Sequence, residues 1–299
     1  MIRRKASHGI ALELGDAENE SIADAGSGKP FLRWAGSKRK LVKRLRTYWG
    51  PHHARYIEPF AGSACLFFEL MPKSAVLGDS NKDLIELYRE VRDDPDRLHR
   101  RLVHIPQDAA TYYRWRAITP HTLDPQTRAL RFLYLNRMCF NGIFRTNVAG
   151  DFNVPFGRAQ GAMPARSEFL RSAGQLANAK LVSGDFSATL RHVAKNDFVY
   201  LDPPFAVSTR RVFRQYGTKP FETTDVPRLA TELRRLERIG ADFLVSYADC
   251  ADARTLANEW NAVRFAVRRH VAGFVGHRRR AYEWLISNRS VPTADGSIA

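Results

Sequence analysis

The chain has no run of about 18 uninterrupted apolar residues, so no segment reads as a membrane-spanning helix. No apolar stretch of signal-peptide length follows Met1-Ile2-Arg3-Arg4-Lys5, which argues against a secretory leader. Cysteine is scarce. Cys65, Cys139 and Cys250 lie far apart, with neither metal-ligand spacing nor an even-numbered framework. They read as buried free thiols in a reducing, cytoplasmic setting, and no metal is expected. Acidic residues are in deficit: 31 Asp and Glu against 47 Lys and Arg, a formal net charge of +16. Residues 1–28 hold three basic and five acidic side chains, so the positive excess lies in the rest of the chain. A surplus of that size favours a polyanionic partner, because each neutralised phosphate releases condensed counterions. Charge alone does not separate DNA from RNA or an anionic membrane. Otherwise the composition is ordinary for a globular protein, 44% hydrophobic and 26% charged over 299 residues. That length can bury the core of one large domain or two modest ones.

Residues 1–28 are polar, rich in Ala and Gly and without sustained periodicity, and are expected to be a disordered extension. Within it, Asp24-Ala25-Gly26-Ser27-Gly28-Lys29 is similar to a phosphate-binding loop. It lacks the upstream glycine, and Pro30 stands where Ser or Thr is required, so that reading is excluded. Residues 290–299 read as a loose tail. Between these ends, strand-like and helix-like segments alternate. Strand patterns occur at 55–58, 75–79, 180–182, 198–201, 243–246 and 282–286, and helix patterns at 62–70 and 225–239. This alternation predicts an α/β fold with a mostly parallel sheet. Residues 83–163 break the rhythm. They begin helical and become rich in Asn, Gly, Arg and aromatics, as in Asn136-Arg137-Met138-Cys139-Phe140-Asn141-Gly142. An irregular basic and aromatic insertion in a regular α/β unit is a natural place for a recognition module.

Three constellations carry chemistry. Glu58-Pro59-Phe60-Ala61-Gly62-Ser63-Ala64 runs from a strand end into a helix, where a glycine allows close backbone approach to a ligand. Asp79 ends the next strand, where a carboxylate can accept from both hydroxyls of a ribose. With only one fingerprint glycine, a plain α/β turn is an equal account of these residues. Asp202-Pro203-Pro204-Phe205 follows the apolar strand 198–201. Proline removes N–H donors and stiffens the loop, so the Asp202 carboxylate and the Pro203 carbonyl offer two acceptors to the two hydrogens of an exocyclic amine. Phe205 offers a face for a planar base, a stacking contact worth roughly 1–3 kcal/mol. The third constellation is Lys29-Pro30-Phe31-Leu32-Arg33-Trp34-Ala35-Gly36-Ser37-Lys38, a tryptophan beside glycine and lysine that could pack on a nucleoside-like ligand or simply on the core.

Taken in order, Trp34 to Lys38, Pro59 to Gly62, Asp79-Ser80-Asn81, the insertion and Asp202 to Phe205 resemble the Dam-type (D12 class, alpha group) DNA N6-adenine methyltransferases. Leu133-Tyr134-Leu135-Asn136-Arg137, Asn141-Gly142 and Phe152-Asn153-Val154-Pro155-Phe156-Gly157 extend the similarity through the insertion, and the whole spans residues 29–288. The resemblance implies a Rossmann-like class I methyltransferase sheet over residues 29–82 and 164–289, with a largely helical target-recognition domain over 83–163. It implies S-adenosylmethionine as the cofactor, held by Trp34, Lys38, Phe60, Asp79, Asp185, Phe186 and Asp202. Asp202, Pro203 and Phe205 would be catalytic. Arg33, Phe140, Ile143, Arg145, Pro155 and Arg158 would contact double-stranded DNA at a GATC-like site, Phe140 as a wedge. The implied enzyme is a cytoplasmic monomer that rotates its target base out of the helix, with or without a restriction partner. The chain departs from the family pattern at Phe205 and Phe140, where tyrosine is usual, at Met138-Cys139, and at Ser37 and Ala64, where glycine is frequent. Three alternatives stay open on the residues alone: methylation of the cytosine N4 amine, which has the same donor geometry, methylation of RNA, and a DNA-binding protein that has lost catalysis.

Overall fold

The computed structural model describes residues 28–147, 150–157, 162–204, 214–215, 221–268 and 280–290. The expected extension (apart from Gly28), the tail (apart from Ser290), Phe205 and Arg158 fall outside these residues. The described strands are β1 Tyr56–Glu58, β2 Ala75–Asp79, β3 Arg145–Thr146, β4 Ala179–Ser183, β5 Phe198–Leu201, β6 Arg214–Gln215, β7 Asp242–Ala248, β8 Asn261–Arg268 and β9 Arg280–Ser287. Seven of them form one sheet in the order β4-β2-β1-β5-β7-β9-β8, and β3 pairs with β6 apart from it. All its pairings are parallel except those of β9, which runs antiparallel to both β7 and β8.

The inner strands read as short apolar runs because both faces of the sheet are covered. Side chains alternate across the sheet, and two cores follow from that period. Tyr56, Phe198 and Tyr200 face one core, together with helices Cys65–Leu70 and Lys82–Asp93. Ile57, Val199 and Leu201 face the other, together with helices Phe186–Leu190 and Asp225–Ile239. From β1 the chain order steps one way to β2 and β4, and the other way to β5 and β7. The crevice of such a sheet opens at the carboxyl ends of the strands where the direction reverses, here between β1 and β5.

Between β2 and β4 lie helices Lys82–Asp93, Pro95–Val103, Ala109–Ala117 and Pro125–Met138. Each begins at a residue whose side chain accepts from a first-turn N–H: Asn81, Asp94, Asp108 and Asp124. The expected helix from Gly62 starts later, at Cys65, because Gly62 and Ala64 both have positive φ, +48° and +50°. Ala64 is thus an L-residue in the left-handed region, one of the two places where the chain lacks an expected glycine. Its Cβ there is unfavourable. Ala64→Gly is expected to raise stability by about 0.5–1 kcal/mol, net of the entropy glycine adds to the unfolded chain. The urea midpoint should rise at unchanged slope; an unchanged or lower midpoint would contradict the strain.

Candidate active site and nucleic-acid interface

The carboxyl edge of the sheet gathers the first set of residues. Asp79 is buried at the end of β2, its Oδ2 accepting from Gly62 N at 3.0 Å and its Oδ1 from Asn81 N at 2.8 Å. Burial pushes this carboxyl up to about 6, against the pull of those two N–H groups. A carboxylate has about four lone-pair sites, so one acceptor position per oxygen remains. Tyr88 donates its hydroxyl to Gly62 O at 2.5 Å, which fixes the turn from below. A Cβ on Gly62 would lie 2.8 Å from Trp34 Nε1, so glycine is required both by φ and by the indole against it. Trp34 in turn lies parallel to Phe144 and Phe132, with ring centres 6.0 and 6.5 Å away.

Asp202 follows β5 on the other side of the switch point. Lys38 Nζ lies 2.7 Å from its Oδ1 and 3.0 Å from its Oδ2. Ser246, fully buried on β7, donates its hydroxyl to Asp202 Oδ1 at 2.8 Å. With that proton committed, the Tyr200 hydroxyl 2.9 Å away is the donor to Ser246 Oγ. Burial drives the tyrosine hydroxyl well above its ordinary range, so it stays protonated. Burial also raises the Asp202 carboxyl, while Lys38 and Ser246 oppose it. The side chain keeps 22% exposure, which leaves the carboxylate an approachable side.

A third group lies beside these. Phe60 stacks on Phe186, centres 5.6 Å apart, and Phe221 meets Phe60 edge-on. Asp185 caps helix Phe186–Leu190 through Ser187 N, and Arg228 donates to it at 2.8 Å. Partial burial works against ionisation of Asp185, but Ser187 and Arg228 outweigh it and hold the carboxyl below its usual range. The Arg228 guanidinium also lies over the Phe186 ring at 4.9 Å. The group thus combines aromatic faces with an ionised acceptor.

The candidate DNA contacts come together on the loop after helix Pro125–Met138. Phe140 N donates to Pro155 O at 2.9 Å, and Ile143 N donates to Phe140 O. Arg145 Nε donates to Asn153 Oδ1 at 2.8 Å, which fixes one edge of the guanidinium. Arg33 joins this loop through Asn136, which accepts from Arg33 N at 2.9 Å and donates to Arg33 O at 2.6 Å. The Arg33 guanidinium reaches the carbonyls of Arg137 and Cys139. Phe140 is 46% exposed, unusual for a ring of that size, and Pro155 is exposed beside it.

Sequence reasoning missed Ser246, Tyr200, Arg228 and Phe221. Ser246 carried a weak signal, a hydroxyl closing the apolar run of β7. Tyr200 lies two residues before Asp202 but reaches its carboxylate through Ser246 on β7, and Arg228 and Phe221 are brought in by packing between distant segments. At the opposite, amino edge of the sheet, His52, His53 and Asp242 form the one His/Asp grouping of ligand type among the described residues. His53 Nδ1 accepts from Gly50 N at 2.9 Å, so its Nε2 carries the proton and donates to Asp242 Oδ2 at 3.1 Å. Arg289 Nε donates to Asp242 Oδ1 at 2.7 Å. A metal needs that imidazole nitrogen bare, so the group is a hydrogen-bonded clamp.

Comparison with known proteins matches residues 34–271 to the D12 class N6 adenine-specific DNA methyltransferases. Type II methyltransferase M1.LlaDCHI of Lactococcus lactis subsp. cremoris is 30% identical over 270 residues, covering 87% of this chain and 95% of the relative. Type II methyltransferase M.MjaIII of Methanocaldococcus jannaschii is 30% identical over 285 residues, 87% of this chain and 99% of its own. The DNA adenine methylase of Escherichia coli K12 is 30% identical over 262 residues, covering 86% and 94%. With the sheet order, the acids at the ends of β2 and β5 and this similarity over most of its length, the chain belongs to the D12 class N6 adenine-specific DNA methyltransferase family.

Proposed function

We propose that this enzyme takes its methyl group from S-adenosylmethionine and places it on the N6 amine of an adenine rotated out of a GATC-like site in double-stranded DNA, acting as a cytoplasmic monomer. The observation that carries the reading is Asp202: a carboxylate held by Lys38 and Ser246 at the switch point, followed by the Pro203 carbonyl. The residues fit the cofactor. Asp79 is already anchored by two N–H groups and keeps two acceptor positions, one for each ribose hydroxyl. Phe60 and Phe186 offer apolar faces to a purine ring, with Asp185 as an acceptor for its amine. Trp34 closes the same edge. When bound there, S-adenosylmethionine supplies an electrophilic methyl group on a sulfonium.

The chain's own groups then act by position. Asp202 Oδ and Pro203 O accept the two amine hydrogens of the target base and aim the nitrogen lone pair outward, and the proton the methylated nitrogen must lose would leave through Asp202 Oδ to solvent; Phe205 is assigned the stacking face. Orientation and a preorganised acceptor together account for most of the acceleration expected of direct transfer. Rotation of the base costs a few kcal/mol of stacking, which Phe140 offsets as it fills the duplex. Basic residues, among them Arg158, Arg268, Arg269 and the arginines of 278–280, are assigned to the phosphate backbone.

Arg145 is the base reader whose geometry is best supported, because Asn153 holds its guanidinium edge. Arg145→Gln is expected to lower discrimination at one base pair by about 1–3 kcal/mol, with little change on non-cognate duplex. Kinetics on duplexes altered at single positions would show it; a uniform loss on all duplexes would assign Arg145 to phosphate instead.

The proposal as a whole is tested by expressing the chain in a methylation-deficient host and digesting plasmid DNA with nucleases that differ in tolerance of N6-methyladenine within GATC. Protection at GATC is expected. N6-methyladenine without protection would discard the site and keep the chemistry. Soluble, folded protein with no methylated base would overturn both.

A further inference from the structure

On helix Pro95–Val103 and the residue after it, Arg97, Arg100, Arg101 and His104 stand at the spacing of a single helix face. They line an open cup of about 330 Å³. Among the described residues, none of the three arginines has a carboxylate within ion-pair distance. The nearby acids are engaged elsewhere: Asp96 with Arg166, Asp93 with Arg92, and Asp94 in capping the helix. Arg101 instead donates to Gln126 Oε1 at 2.9 Å and to Thr127 Oγ1 at 2.8 Å. Those two residues open helix Pro125–Met138, whose far end leads into the loop holding Phe140 and Arg145. About 17 Å of helix therefore separates the cup from the reading loop. Like charges on adjacent turns repel, so an anionic occupant on this face would be stabilised.

The chain carries one. Residues 6–28 contain Glu13, Asp16, Glu18, Glu20 and Asp24 and no Lys or Arg. This stretch joins the described residues at helix Arg166–Leu176, whose far end packs on helix Pro95–Val103. Lys29 pairs with Glu168 at 2.9 Å, and Ser172 Oγ donates to Lys29 O at 2.8 Å, both on helix Arg166–Leu176. The other end of that helix holds helix Pro95–Val103: Arg166 bonds Asp96 at 2.6 Å, and the His99 ring lies 5.4 Å from Phe169. From Gln175, beside Gly28, to Arg166 is about 14 Å of helix. An extended chain advances about 3.3 Å per residue, so Glu20, eight residues before Gly28, reaches about 26 Å. Length, exit point and charge agree.

We propose that the acidic stretch of residues 13–20 docks on the face formed by Arg97, Arg100, Arg101 and His104. The occupant neutralises a basic surface remote from the reading loop, which would otherwise hold duplex without reading it.

Hydrogen exchange of the full-length protein tests it. At low salt, amides of residues 13–20 should exchange several-fold more slowly than unprotected amides, with protection lost near about 0.5 M salt. Arg97→Glu/Arg100→Glu should abolish that protection without moving the thermal midpoint. Adding Glu13→Lys, Glu18→Lys and Glu20→Lys to that variant should restore it. Arg97→Gln/Arg100→Gln serves if the reversed charges disturb folding. Unprotected amides in the wild type, or protection unchanged in the variants, overturns the proposal. A variant with unchanged exchange but several-fold weaker binding to non-cognate duplex assigns the face to DNA and overturns it as well.

Discussion

Asp202→Ala is expected to yield a folded protein that binds duplex DNA but transfers methyl groups about a thousandfold more slowly or not at all. In the proposed mechanism the carboxylate is the charged acceptor at the end of β5, and its removal would leave the target amine with the Pro203 carbonyl alone. Lys38 loses contacts of 2.7 and 3.0 Å and keeps Glu283 at 4.0 Å, so its ammonium is not stranded and the fold survives. Asp202→Asn separates shape from charge. Its amide nitrogen would set donors against the Lys38 ammonium or the incoming amine, so this variant should be nearly as slow. Ser246→Ala acts through Asp202 and should be milder, about tenfold in kcat, at unchanged KM for DNA. The lost hydroxyl stabilised the ionised carboxylate, so the acid limb of the kcat–pH profile should move to higher pH. Thermal unfolding, duplex binding and single-turnover methylation measured together check the series. Wild-type turnover in Asp202→Ala would remove Asp202 from the chemistry.

The two acids were legible in the sequence because each ends an apolar strand, and the strand pattern itself places it at the carboxyl edge. Asp79 closes Ala75-Val76-Leu77-Gly78, and Asp202 follows Phe198-Val199-Tyr200-Leu201. What holds Asp202 was not legible. Ser246 reaches it because β5 and β7 pair in parallel with Leu201 opposite Val245, a register that no local pattern states. The same holds for Arg228 over Phe186, two residues joined by the packing of a helix formed 42 positions later. Strand β8 is a different case. Val263, Phe265 and Val267 are half-buried and alternate with the exposed Arg264 and Ala266, as on an edge strand. That alternation is a weaker signal than the continuous apolar runs of the inner strands. In the turn after β1, the helical pattern from Gly62 was real, but the left-handed backbone at Gly62 and Ala64 delays the helix by three residues. Local motifs thus mark where chemistry sits, and non-local register decides what supports it.

With Asp79 in its proposed role on the ribose, cofactor affinity should be constant from about pH 8 to 7 and fall about tenfold per unit below pH 6, because the carboxyl would have to be ionised to accept both hydroxyls. Burial holds this carboxyl at about 6 in the folded protein, against roughly 3.9 in an unfolded chain. The sign for folding alone runs opposite to that for binding. Between those two values the folded state binds more protons, so the Asp79 contribution to stability is fully present below pH 4 and lost as pH rises through 6. Ligand hydroxyls donate only to the ionised form and reverse that penalty, so binding couples to proton release in the same window. Asp185 does not add to the effect, since Ser187 and Arg228 keep it ionised well below pH 6. Titration with S-adenosylhomocysteine in buffers of different ionisation enthalpy would measure both affinity and protons released. Asp79→Asn should bind about a hundredfold more weakly at pH 7.5, lacking the charge and facing one hydroxyl with a donor. It should also lose the pH dependence between 5 and 7. A wild-type affinity that stays flat down to pH 5 would mean that Asp79 does not hold the ribose, and that the acid at the end of β2 serves only to tie Gly62 to Asn81.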